Sequence, residues 1–187
     1  MISLVQLWLP ILAAAIAVFV ASSLVHMVFK WHASDYRGLS NEDDVRAVIR
    51  AGAPRPGQYF IPFCPDKREM GKPEVIAKFK EGPVGQLVLW PLGPPNMGRP
   101  LGLWFALNVV IAILAGYLAC RTLAAGSSFG QIVRVVGIVT FAAYATGPLQ
   151  AAIWMGKPWR SVAKEVGLDA LMYAAVSACV FGWLWPR

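Results

Sequence analysis

Four stretches of this sequence are apolar and almost free of charge, and the charged residues crowd between them. Ile2 to Phe29 is a run of 28 residues whose only ionisable side chain is His26. Pro100 to Cys120 and Val135 to Met155 carry no charge, and Ala170 to Pro186 is a shorter block that Leu168 can extend. A helix rises 1.5 Å per residue, so about 20 apolar residues cross a hydrocarbon core of roughly 30 Å. The first run has no Lys or Arg before it and exceeds the apolar core of a signal peptide, so it reads as a retained helix. The expected fold is an all-α membrane protein with four transmembrane helices, at 1–30, 100–121, 132–155 and 168–186. A small α/β cytoplasmic insert, 31–99, lies between the first and second helices, and 156–167 reads as an interfacial cytoplasmic segment.

Composition agrees: 57% of residues are apolar and only 14% charged, against about 25% charged in soluble domains. The net charge of +7 would suggest nucleic acid in a soluble protein. Here the excess flanks apolar runs, where anionic lipid is the nearer partner, and no nucleic-acid fingerprint is visible. Eleven Lys and Arg lie between the first and second spans, and Lys157, Arg160 and Lys164 lie between the third and fourth. The opposite side has only Arg121, Arg134 and Arg187. The positive-inside rule then places the long loop in the cytoplasm and both termini outside. Trp31, Trp104, Trp159 and Arg160 are expected at the lipid interface, where indole is favoured and basic side chains meet headgroups.

Each span carries small residues at four-residue spacing: Ala13, Ala17 and Ala21; Ala112, Gly116 and Cys120; Ala143, Gly147 and Ala151; Ala174, Ala178 and Gly182. Such ribbons let helix backbones approach closely in lipid, within one chain or against another membrane subunit. The Gly147-Pro148 pair should kink the third span, because proline removes a backbone hydrogen bond. In the insert, Ser40 and Asp43 resemble a capping box opening a short amphipathic helix over 41–51. A second helix should start at Pro73 and end at Gly82, and Tyr59 to Ile61 can pair with Gln86 to Trp90 as strands. That is a thin core, expected to rest on a membrane or a partner.

Chemical signals are sparse. His26 has Ser22 four residues before it, and a small residue one turn from histidine leaves room for a haem or chlorophyll-type macrocycle. A solvated histidine at the membrane edge explains it as well. His32 is followed by Asp35 and Tyr36, a pattern that suits a general base, a metal ligand or a surface hydrogen bond. A metal site using both histidines is not expected, because six positions on one continuous helix put them on different faces. The three cysteines, Cys64, Cys120 and Cys179, have no metal-ligand spacing. Glu42, Asp43 and Asp44 sit at a helix start, where carboxylates favour the helix dipole.

No Asp, Glu, Lys or Arg lies deep in a span, which argues against ion-coupled transport. Asn108, Thr140, Tyr144, Thr146, Gln150 and Ser177 are the deep polar groups. They suit interhelical hydrogen bonds or a path for a neutral solute. No hydrolase, metalloprotease, phosphate-loop or dinucleotide motif is present, so no catalytic residue is assigned.

The runs Trp31-His32-Ala33-Ser34-Asp35-Tyr36, Asn41-Glu42-Asp43, Pro56-Gly57-Gln58-Tyr59 and Phe181-Gly182-Trp183-Leu184-Trp185-Pro186-Arg187 resemble a group of small bacterial four-span inner-membrane proteins. The resemblance implies a bacterial inner-membrane location and carries no activity. The expected role is a non-catalytic accessory or scaffold subunit of a larger membrane complex, respiratory or photosynthetic. A small channel or carrier for a neutral solute, or a tetrapyrrole-binding subunit using His26, are the alternatives.

Overall fold

The computed structural model describes residues 2–187. Four of its helices are long and apolar enough to cross a membrane: α1 (Leu4–Phe29), α4 (Gly98–Thr122), α5 (Phe129–Met155) and α6 (Trp159–Leu184). Between α1 and α4 lie two short helices, α2 (Glu42–Ala51) and α3 (Pro73–Glu81), and two strands, β1 (Gly57–Ile61) and β2 (Gly85–Leu89). The fold is therefore four long helices with a small two-stranded insert between the first and second.

Local chemistry sets the helix limits. α5 starts at Phe129, three residues before the expected boundary, because Ser128 and Gln131 form a reciprocal capping box. The Gln131 side chain accepts from the Ser128 amide at 2.9 Å and satisfies a donor at the helix start. Gly156, at φ 68°, closes the other end in the left-handed conformation. The segment 156–167 is not a separate interfacial piece. Its residues from Trp159 onward are the first turns of α6, which runs unbroken past Glu165 and Asp169. Both carboxylates have partners, which removes the reason to break the helix there: Lys157 Nζ stands 2.6 Å from Glu165 Oε1, and His32 Nε2 stands 2.8 Å from Asp169 Oδ2.

The four long helices pack in cyclic order α1, α4, α5, α6, each against two neighbours. Ala112, Gly116 and Cys120 of α4 are buried, as are Ala174 and Ala178 of α6. A methyl group built on Gly116 would meet the Phe181 ring at 3.3 Å and Ile11 at 3.4 Å, so this glycine permits the close approach. One built on Gly182 would lie 2.5 Å from the Phe129 ring. The other two ribbons sit elsewhere. On α1 the buried line is Ile11, Ala14, Val18, Ser22 and Val25, which leaves Ala13, Ala17 and Ala21 on its flank. On α5 the buried line is Ile132, Val136 and Thr140, so Ala143 and Gly147 face outward and Ala151 is half-buried. Four-residue spacing marks a face of a helix and leaves open which face is covered.

The bundle interior has two unlike halves. One is apolar, built on Leu7, Ile11, Ala115, Ile132, Val136 and Phe181. The other carries buried and half-buried polar side chains from every helix, Ser22, Trp104 and Asn108, Thr140 and Tyr144, Asp169 and Tyr173, with exposed His26 one turn beyond Ser22. Large apolar side chains such as Ile16, Val20, Leu107, Leu114 and Ile138 point outward, as suits a lipid solvent.

Arg37–Pro95 is a separate compact unit. Its strands pair antiparallel with Gly57 opposite Leu89 and Ile61 opposite Gly85, the pairing expected from sequence but extended at the β1 start and ending one residue before Trp90. No side chain in it is fully buried.

Candidate functional site

The polar half of the bundle ends in a cluster built by a reversal of the chain. The last turn of α1, Val25–Phe29, is a π-turn, and Lys30 then takes a left-handed conformation at φ 51°. The Lys30 amide donates to the Val25 carbonyl at 3.0 Å, and a short turn follows over Ala33–Asp35. The chain thus folds back on α1, and the His32 ring stacks on the His26 ring with centroids 5.1 Å apart and planes 17° apart. The expectation that the two histidines face apart rested on a continuous helix, and the helix stops between them. A second π-turn, Glu165–Ala170 in α6, presents Asp169. Such turns widen a helix by one residue and concentrate at functional positions.

His32 is held from both sides. Its Nδ1 lies 2.8 Å from Asp35 Oδ2 and its Nε2 lies 2.8 Å from Asp169 Oδ2, with all three side chains nearly buried. Ionised carboxylates only accept, so a ring nitrogen facing one carries the hydrogen. Lys164 Nζ donates to Asp35 Oδ1 at 2.7 Å, Ser34 Oγ at 2.9 Å and the Trp31 carbonyl at 3.0 Å. These contacts employ all three of its donors. Lys164 chiefly, and then His32, hold the Asp35 carboxyl down at about 2, against the opposing effect of desolvation. Trp31 Nε1 donates to Asp169 Oδ1 at 3.2 Å.

His26 is exposed, and its Nδ1 lies 2.8 Å from the Ser22 carbonyl. A carbonyl can only accept, so Nδ1 bears the hydrogen, and Nε2 is the ring nitrogen left for another partner. One donor atom each from His26, His32 and Asp169 lie within 4.8 Å of one another. The space that Ser22 was expected to leave beside His26 is occupied. Ser22 is buried, and the Trp104 indole donates to its hydroxyl at 2.8 Å.

Below the cluster, Trp104, Tyr144 and Tyr173 form an aromatic group with centroid separations of 5.1 to 6.0 Å. Tyr144 donates to Asn108 Oδ1 at 2.7 Å. Asn108 Nδ2 and Thr140 Oγ1 are buried without a protein partner. Thr146 and Gln150 face outward and take no part. A surface recess lined by Ile2, Ser3, Leu4, Tyr117, Cys120 and Arg121 lies at the opposite end of the bundle from the histidines. With few converging polar groups, it offers less chemistry than the histidine cluster.

The four residues expected at the lipid interface differ in exposure. Trp31 and Trp104 are half-buried with their indole N–H groups engaged, whereas Trp159 and Arg160 are exposed. Asp169 and Lys164 were not singled out as site residues. The available signal was the spacing of Asp169, Tyr173 and Ser177, which places three polar groups on one face of an otherwise apolar helix. Comparison with protein-family models, curated proteins and solved structures finds no match to this chain.

Proposed function

We propose that this chain is a non-catalytic accessory subunit of a larger membrane complex in a bacterial inner membrane. In this reading both termini lie outside, and the histidine cluster and the insert lie on the cytoplasmic side, where exposed Arg160 meets anionic lipid. The observation that carries the proposal is the outward ribbon of α5. Ala143 and Gly147 are exposed, and a methyl group added at Gly147 would touch nothing within 4 Å. A ribbon of small residues that its own bundle leaves uncovered suits close approach by a helix of another chain. The apolar half of the interior favours a subunit over a channel, since its packed side chains interrupt any polar path.

The test is purification of the tagged protein from its native membranes in mild detergent, beside a Gly147→Leu variant. One defined chain should co-purify in constant ratio and be lost or reduced at least severalfold in the variant. A monodisperse monomer with no companion chain would overturn the proposal, and so would a companion indifferent to Gly147→Leu.

A further inference from the structure

We propose that His26, His32 and Asp169 form a binding site for one divalent first-row transition-metal ion, a site that an accessory role does not require. Two imidazoles and a carboxylate make a borderline-soft donor set, which suits zinc, iron(II), cobalt(II) or nickel(II) over magnesium and calcium. Their donor atoms lie within 4.8 Å of one another. Ligand atoms bound at about 2.1 Å around a tetrahedral metal stand roughly 3.4 Å apart, so the widest pair closes by up to about 1.4 Å while His32 Nε2 and Asp169 Oδ2, now 2.8 Å apart, open by about 0.6 Å.

The surroundings of each ligand carry the inference further than proximity does. His26 engages the Ser22 carbonyl through Nδ1, which leaves Nε2 free to coordinate. His32 has Nδ1 against Asp35, which orients the ring and strengthens Nε2 as a donor. Asp169 has Oδ1 fixed by the Trp31 indole, so Oδ2 is the available oxygen. Every ligand is thus oriented by a second group, an arrangement common to metal-binding histidines and carboxylates.

Charge points the same way. Lys164 pairs with Asp35, and among the described residues no Lys or Arg pairs with Asp169, so a metal ion there would meet a carboxylate that no such cation has taken. A metal ion between His32 Nε2 and Asp169 Oδ2 replaces the hydrogen they share, and that proton leaves to water. Exposed His26 gives the ion a way in, while His32 and Asp169 are nearly buried and pre-positioned. Three protein ligands leave at least one coordination position for water or an exogenous ligand.

The experiment uses the full chain, purified in detergent without a polyhistidine tag, stripped with chelator and titrated with cobalt(II). Ligand-field absorption should saturate at one cobalt per chain, and zinc should displace it while magnesium in large excess should not. His26→Ala, at an exposed position, should keep the metal-free thermal midpoint and lose saturable binding. Asp35→Asn should weaken binding by about 10- to 100-fold, as expected when a group orienting a ligand is removed. Should His26→Ala fail to fold, Asp35→Asn carries the test alone. The proposal is overturned if the native chain shows no saturable spectrum, or if both variants bind cobalt as it does. Equal competition by magnesium would also overturn it. Co-purification of a companion chain is read separately, so failure here leaves the accessory role standing, and the reverse.

Discussion

His32 makes hydrogen bonds to two carboxylates that come from opposite directions in the sequence, one three residues on and one 137 residues away. The near partner is readable in the run from Trp31 to Tyr36. The far partner depends on the backbone reversal at Lys30, and lysine has no intrinsic preference for positive φ that a reader could detect. Asp35 gives the cluster a pH signature. Its folded value is lowered from 3.8 to about 2 by Lys164 and His32. A lowered carboxylate stabilises the fold above its unfolded value, and that contribution is lost as pH falls through the folded one. The thermal-midpoint difference between the native chain and Asp35→Asn should therefore be constant down to about pH 4. It should then shrink toward zero near pH 2. A difference that vanishes already between pH 7 and 5 would show that Asp35 is not held in this way.

Helix type and number could be read from sequence, because length and absence of charge suffice to mark a span. Where the structure departs, the cause is a contact between elements. The fourth apolar block reads as short because Glu165 and Asp169 interrupt the sequence before it, yet in α6 Lys157 and His32 receive both carboxylates. The ribbons could be located but their directions could not, as hydrophobicity barely distinguishes a lipid-facing side from a core-facing side. Gly116 tests the packing of α1, α4 and α6 at one point. Gly116→Val must displace the buried Phe181 ring and Ile11. An overpacking cost of about 1–3 kcal/mol is expected, seen as a lower thermal midpoint in detergent. The exposed Gly147→Leu change should leave that midpoint nearly unaltered, which separates packing within the bundle from packing against a partner.

At the scale of the whole molecule, the orientation proposed from Lys and Arg counts makes a direct prediction about the insert. Cys64 is half-buried in that unit, so a small thiol reagent can reach it, whereas Cys120 is buried in the bundle. A membrane-impermeant maleimide should label Cys64 in inverted vesicles and fail to label it in right-side-out ones. The opposite pattern would reverse the topology while leaving the four helices in place. The position of the cluster at the end of α1 also has an electrical consequence in a bilayer. A full crossing of the membrane by one elementary charge is worth about 2.3 kcal/mol per 100 mV. His26 lies in the last turn of α1, so a cation arriving from that end crosses little of the bilayer and senses little of the voltage, and its occupancy should follow the local concentration of the ion and not the energisation of the membrane.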